Sequence, residues 1–372
     1  RVPAGNVLAI SCLNIDVGET ITLNKQTPFE AIKHIFQPVI TKSIEVVRSA
    51  DLPKLIEVLR RVGKEDPSIK IEINEETGEN LLSGMGELHL EIIEGRIKNE
   101  KGLEIKMGHP IVVYRESVSK NSGKVEVRTS NGHNILFFTI EPLEDDVYNA
   151  IERGEIPEMK LKKKAEEVWK KLSELGISND EARQYMEIYK GNVFQDRTRG
   201  IVLLGEIIES ILEGWRLVVN GGPLAKEPMM KTKLILNDIK IHVDHMHRGP
   251  AQVYPAVRLG MHEAMKKGGA VMLEPIQTHL IEAPVDFMGA VTQLVGSKRG
   301  VLIDVKQEAS DVFIKARIPV AEMIGWSNDL RSATEGRGVS SLMDQQFQKV
   351  PSELQPDVIR KIRQRKGLSE NQ

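Results

Sequence analysis

At 372 residues, with 40% hydrophobic and 28% charged side chains, the chain exceeds what one hydrophobic core spans, and its composition excludes a wholly disordered or membrane-embedded protein. At roughly 150 residues per domain, about two to four domains are expected. Its 51 Lys and Arg against 53 Asp and Glu leave a formal charge of -2, so no field draws polyanions from every side and any nucleic-acid contact must come from a local patch.

A single cysteine, Cys12, cannot form an intrachain disulfide, and no cleavable leader is evident. No apolar run approaches the roughly 18 residues of a membrane span. Both features point to the cytoplasm. The chain opens with Arg1 in place of Met, as a piece of a longer protein would.

In chain order, Arg1–Leu23 reads as strand, turn, strand. Pro3-Ala4-Gly5-Asn6 is turn chemistry and Val7-Leu8-Ala9-Ile10 is β-rich, which suggests the end of a β-barrel. From about Thr27 a compact module begins. Val39, Ile40, Ile44, Val46 and Val47 predict a strand, and Ser49-Ala50-Asp51-Leu52-Pro53 predicts a helix start. Leu55, Ile56, Leu59 and Val62 then share one helical face. Ile69, Ile71 and Ile73 alternate with polar residues as in a half-buried strand, Thr77-Gly78 turns the chain into Leu81-Leu82, Leu90, Ile93 and Ile97 line a second helix, and Leu103, Ile105 and Met107 a last strand. This is the βαββαβ, or ferredoxin-like, order. It recurs near the C-terminus as strand 276–281, helix 287–295, a strand pair at 301–305 and 312–318, and a short helix at 328–334.

The middle, from about Pro110 to Gly269, is a larger α+β region. Strands are predicted at 124–128 and 135–140, followed by a long helical stretch whose basic side holds Lys160, Lys162, Lys163, Lys164, Lys170 and Lys171 with Trp169. A helix at 201–217 and a strand at 233–243 follow. The tail Arg360-Lys361-Ile362-Arg363-Gln364-Arg365-Lys366 is basic, as a helix end or an RNA-facing patch would be.

The sharpest chemical feature is His242-Val243-Asp244-His245-Met246-His247-Arg248-Gly249, with three of the nine histidines and one Asp within six positions. Imidazole and carboxylate suit zinc, so a metal-dependent hydrolase using His242, Asp244, His245 and His247 is one reading. Alternation of Ile239, Ile241 and Val243 with Asp238, Lys240 and His242 argues instead that a strand runs into the cluster and splits its side chains between two faces. Arg248 would also repel a cation. Gly249-Pro250 then turns into a helix carrying Val253, Val257, Met261 and Met265, closed by Gly268-Gly269, so the cluster sits on a loop clamped at both ends.

The run His245-Met246-His247-Arg248-Gly249 with Pro250-Ala251-Gln252 resembles the diphthamide loop of the elongation factor G and elongation factor 2 family of translational GTPases, on its archaeal and eukaryotic branch. Three further runs agree in order. Ser83-Gly84-Met85-Gly86-Glu87-Leu88-His89-Leu90-Glu91 resembles the third-domain signature, Ser130-Asn131-Gly132-His133-Asn134 a second tip loop of the fourth domain, and Leu330-Arg331-Ser332-Ala333-Thr334-Glu335-Gly336-Arg337-Gly338 the fifth-domain signature. Arg1-Val2-Pro3-Ala4-Gly5-Asn6 resembles the end of the second domain. Pro250, where eukaryotic members tend to have glycine, favours the archaeal side.

The resemblance implies the C-terminal half of such a factor: residues 1–25 the end of domain II, 26–106 domain III, 107–271 domain IV, 272–342 domain V, and 343–372 a segment packing back on domain IV. The implied fold is α+β and multidomain, two ferredoxin-like modules flanking a larger α+β domain after a short β-barrel remnant. It further implies a monomer without membrane contact, whose partners are the ribosome, with its rRNA, tRNA, mRNA and ribosomal proteins, and the diphthamide-synthesis enzymes. His247 is the implied modified residue, with Arg248, His245, Asp244, His133, Asn134, Arg331 and Arg337 as candidate RNA contacts. Motion is expected at linkers near 106–110 and 268–275. No cofactor is expected in this chain. It has no G-x-x-x-x-G-K-[ST] run, and Asn24-Lys25-Gln26-Thr27 lacks the Asp of a guanine-reading motif, so GTP and Mg belong to an absent GTPase domain and this half is not expected to hydrolyse GTP. A stand-alone RNA-binding module is the other alternative.

Overall fold

The computed structural model describes residues 3–9, 19–24, 26–27, 37–73, 80–161, 165–198, 201 and 203–369. Cys12, most of the expected N-terminal strands, Lys25, the Thr77-Gly78 turn and Lys162 to Lys164 lie outside the described residues. Residues 3–9 and 19–24 carry no strand, and Val7 and Leu23 are fully exposed. The chain divides into two compact units, one of residues 1–113 and 275–346, the other of 114–274 and 347–372.

The first unit opens with β1 (Ile40–Val46), α1 (Leu52–Glu65), β2 (Lys70–Ile73), β3 (Asn80–Gly84), α2 (Glu87–Lys101), β4 (Ile105–Met107) and β5 (Ile111–Val112). Its sheet runs β2-β3-β1-β4, with β5 also on β1, and its neighbouring strands are antiparallel. This is the ferredoxin-like arrangement expected from the sequence. Leu55, Val58, Leu59 and Val62 recur at helical spacing on α1 and are buried, and Pro53 occupies the first turn, where its missing N–H costs no hydrogen bond. On α2, Glu87 and His89 are half-buried and partnered. His89 Nε2 lies 3.0 Å from Asp66 Oδ2, and Glu87 Oε2 accepts the Gly325 N–H at 2.6 Å.

The second unit begins with β6 (Arg115–Val118), β7 (Val125–Arg128), β8 (Ile135–Pro142), α3 (Asp145–Glu152), α4 (Glu166–Glu174), α5 (Asn179–Ala182), β9 (Tyr185–Tyr189), β10 (Asn192–Asp196), α6 (Leu204–Asn220), β11 (Thr232–Lys240) and α7 (Pro250–Lys267). The expected long charged helix is therefore a short helix, α4, and the chain then forms two unexpected strands. The sheet runs β7-β8-β11-β10-β9, and only β10 and β11 are parallel, joined by a crossover through α6. Phe194 packs into one core with Phe138, Trp215, Leu234 and Val257, while its neighbour Val193 packs into a second with Tyr148, Leu172 and Tyr185. Both faces of this sheet are thus covered.

Two glycines set the packing of α7. A Cβ on Gly214 of α6 would stand 3.1 Å from Val257, and one on Gly260 would stand 2.7 Å from the Phe138 ring and 2.8 Å from Val127. Without side chains there, α7 lies close against both α6 and the sheet, and its start is fixed along with it.

After α7 come β12 (Ala270–Pro284), α8 (Met288–Ser297), β13 (Val301–Glu308), β14 (Asp311–Pro319), α9 (Trp326–Ala333), β15 (Val339–Lys349) and α10 (Gln355–Arg365). The order β13-β14-β12-β15 repeats the ferredoxin-like topology, and β6 pairs with Ala270 to Leu273 of β12. The stretch 268–275, expected as a linker, is strand from Ala270 onward.

Part of the basic tail packs on protein, while Arg360 and Lys361 are exposed. Ile362 is buried with Ala225, Met272 and Val350, Arg363 donates to the Leu224 carbonyl at 2.9 Å, and Lys366 and Arg365 reach Glu227 at 2.8 and 3.2 Å. That loop is anchored in turn by buried Glu116, whose carboxylate accepts the N–H groups of Leu224, Ala225 and Glu227. Burial pushes the Glu116 carboxyl up to about 7, against the opposing pull of those donors.

Candidate functional site

Ile135, the first residue of β8, pairs with Arg128 on one side and with Lys240 on the other. The β7–β8 turn and the loop from β11 to α7 therefore leave the same end of the sheet side by side. Strand pairing stops at Lys240, so the predicted continuation through His242 is not formed. The reason is local. His242 N–H donates to the side-chain Oδ1 of Asn134 at 2.9 Å, taking a side chain where a further strand residue would have offered its carbonyl.

Asn134 is fully buried and spends both ends of its amide on the other loop, because its Nδ2 donates to the His247 carbonyl at 2.6 Å. Its own N–H is held by Thr129 Oγ1 at 3.1 Å. Gly132 takes a φ of 74°, which glycine adopts without penalty, and its N–H closes the turn onto the Thr129 carbonyl at 2.7 Å. Ser130 Oγ adds a bond to Gln252 Oε1, at 2.6 Å, in the first turn of α7.

Among the described side chains, three imidazoles gather on this frame. His133 and His247 have ring centroids 4.2 Å apart, His133 and His242 4.8 Å, and His242 and His247 4.9 Å. Asp244 Oδ2 lies 3.9 Å from His247 Nε2. Residues 245–247 form a single 3-10 turn, and the His245 side chain lies outside the described residues. Val243 and Met246, 82% and 75% exposed, project beside the rings.

The structure thus brings His133, Asn134, Asp244 and His247 together, and it revises two expected RNA contacts. Asn134 is a buried brace. Arg248 is only 7% exposed, ion-paired to Glu206 and bonded to the Val243 carbonyl, so it holds the loop down and does not reach outward. Arg331 and Arg337 belong to the first unit. Both are exposed, and Arg337 also lies 4.5 Å over the Phe287 ring.

Among the described residues, no three His, Cys, Asp or Glu side chains are arranged to hold an ion. His242 Nδ1 is occupied by the Asp244 N–H at 3.1 Å, and His247 Nδ1 faces the Asn131 amide at 3.4 Å. Among the described residues no helix is long and apolar enough to cross a membrane.

Sequence reasoning placed Asn131 and Gln252 in the two tip runs without giving them a role, and missed Thr129 and Glu206. The contacts of Asn131 with His247, Ser130 with Gln252 and Glu206 with Arg248 span stretches of chain that no local pattern reveals, while Thr129 braces its own turn through Asn131 and Asn134. The one available signal was Ser-Asn-Gly, a turn sequence that hinted at a tight hairpin.

Comparison with known proteins agrees along the chain. Residues 35–109 match the family model for Elongation Factor G, domain III, residues 154–269 that for Elongation factor G, domain IV, and residues 271–358 that for Elongation factor G C-terminus. Over 371 residues the chain is 46% identical to elongation factor 2 of Pyrococcus horikoshii and 47% identical to that of Thermococcus gammatolerans, covering 100% of this chain and 50% of each relative. Elongation factor 2 of Methanosphaera stadtmanae is 47% identical over 99% of the chain and 50% of its own length. The chain spans about half the length of the curated relatives it matches.

Proposed function

The chain belongs to the family of elongation factors G and 2, and on that premise we propose that it is the ribosome-binding C-terminal part of an archaeal elongation factor 2, promoting translocation of tRNA and mRNA. In this reading the two-loop tip enters the decoding-side A site and holds the tRNA and mRNA in register as they move. His247 is the residue converted to diphthamide, and the diphthamide-synthesis enzymes are its transient partners. GTP and Mg belong to the half of the relatives that this chain does not span. The protein acts as a cytoplasmic monomer until it meets the ribosome.

The observation that supports this most is the Asn134 brace. Holding a message in register needs a surface that does not yield, and a loop tied through a buried amide to a neighbouring strand end is stiffer than a free one. Residues 128–134 and 241–250 contain no Phe, Tyr or Trp, so aromatic stacking is a minor part of recognition. His133, His247, Asp244, Val243 and Met246 form the contact edge, suited to a wide RNA minor groove through shape, 2′-hydroxyl bonds and backbone. The cationic group added at His247 would give the edge the phosphate-binding charge that the inward-turned Arg248 does not supply. Arg331 and Arg337 of the first unit are the candidate contacts to ribosomal RNA.

Peptide mass analysis tests the assignment. Protein isolated from the native organism carries added mass on His247, and protein produced in bacteria does not. A native protein whose His247 peptide has the unmodified mass removes diphthamide from the account.

A further inference from the structure

Among the described side chains three imidazoles share the tip, and an enzyme that modifies one of them must distinguish it from the others. Proximity does not do so, since His133 and His242 lie within 5 Å of His247, at 4.2 and 4.9 Å between ring centroids. What differs is how the ring nitrogens are held. The Nδ1 of His242 accepts an N–H from its own loop, that of Asp244 at 3.1 Å. The Nδ1 of His247 is held from the opposite loop, by Asn131.

The orientation of the Asn131 amide is fixed by its other partners. Its Oδ1 takes the backbone N–H of His133 at 3.1 Å, a group that can only donate, and lies 2.6 Å from the Thr129 hydroxyl. The Nδ2 end therefore faces His247 Nδ1, at 3.4 Å. An amide nitrogen only donates, so Nδ1 accepts and the neutral His247 ring carries its proton on Nε2, the side that opens toward Asp244. His247 is thus the imidazole whose ring nitrogen is addressed across the two loops, while Asn134 holds its backbone carbonyl.

Resting on the reading that His247 is the modified residue, we propose that Asn131 is the positioning residue that selects it, fixing the tautomer and plane of that ring so that one defined edge is offered to the modifying enzyme. Partners that orient a metal-ligating imidazole through its second nitrogen govern affinity or activity by roughly tenfold or more, and an effect of the same order is expected here.

The test is Asn131→Asp. Aspartate keeps the oxygen that accepts from His133 and Thr129, so the turn survives, but it sets an acceptor where His247 Nδ1 needs a donor. In unmodified protein made in bacteria, nitrogen-15 spectra are expected to show the His247 proton moved from Nε2 to Nδ1. In the native host, the modified fraction at His247 is expected to fall roughly tenfold or more. Ser130→Ala, which deletes the bond to Gln252 but no partner of the His247 ring, is expected to leave both readouts unchanged. Should Asn131→Asp unfold, Asn131→Ala deletes the donor and is expected to give mixed tautomers with reduced modification. A parental tautomer in the variant, or full modification despite a moved proton, overturns the proposal. A parent protein unmodified in its native host overturns instead the reading on which it rests, and the tautomer measurement separates the two.

Discussion

Replacing Asn134 by Ala removes the buried side chain that ties the histidine loop to the strand end. Two hydrogen bonds are lost, from His242 N–H at 2.9 Å and to the His247 carbonyl at 2.6 Å. Each is worth about 1 kcal/mol net. The larger penalty for a stranded buried group is moderated here, because His242 and His247 are themselves half-exposed and water can replace the lost partner. The tip should then open more readily by about 2 kcal/mol, which is roughly 30-fold at 1.4 kcal/mol per factor of ten. Amide hydrogen exchange at His242 reads this directly, since its N–H has no strand partner to protect it. Ser130→Ala, which deletes an exposed bond to Gln252, serves as the control and should change stability by less than about 0.5 kcal/mol. Parental exchange at His242 in Asn134→Ala would refute the brace.

Gly260→Ala places a methyl within 3 Å of Phe138 and Val127, so it should destabilise the second unit by about 1–3 kcal/mol in denaturant unfolding, whereas a neutral effect would mean that α7 does not press on the sheet as described. Arg248→Ala should lower stability by about 1–3 kcal/mol yet leave the salt dependence of RNA binding unchanged; a slope smaller by about one would show that Arg248 contacts phosphate after all. Burial pushes His279, on β12, down to about 4. The unfolded chain, titrating near 6.5, binds the proton first, so stability is full above about pH 6.5 and falls by about 1.4 kcal/mol per pH unit down to about 4. His279→Gln should flatten that part of the acid-unfolding profile of the first unit, and an unchanged slope would contradict the burial of this ring.

Both ferredoxin-like modules were legible because their signals are local. Leu55, Leu59 and Val62 repeat at helical spacing, and Ile69, Ile71 and Ile73 alternate, whatever the rest of the chain does. The region after Lys160 was misread because charge dominates its composition. Glu187 on β9 is nearly buried, with a bidentate bond to Arg216 on α6, and a strand that buries an ionised residue has no sequence signature of its own. Lys233 on β11 is likewise buried, among Glu141, Glu144 and Glu181. At the tip, the histidine cluster and a second loop were visible, but the bonds that join them were not. The alternation of Ile239, Ile241 and Val243 predicted a strand through His242, and only the arrival of Asn134, more than 100 residues earlier in sequence, explains why pairing ends at Lys240. The same long-range contacts decide that Arg248 points inward, a reversal that its position beside His247 could not disclose.

The central claim is that this tip meets the decoding site. A photocrosslinker at Met246, exposed beside the imidazoles, in the full-length factor bound to ribosomes tests it most directly. Crosslinks to mRNA, tRNA or the decoding-site RNA of the small subunit are expected. Crosslinks confined to other ribosomal regions would contradict it.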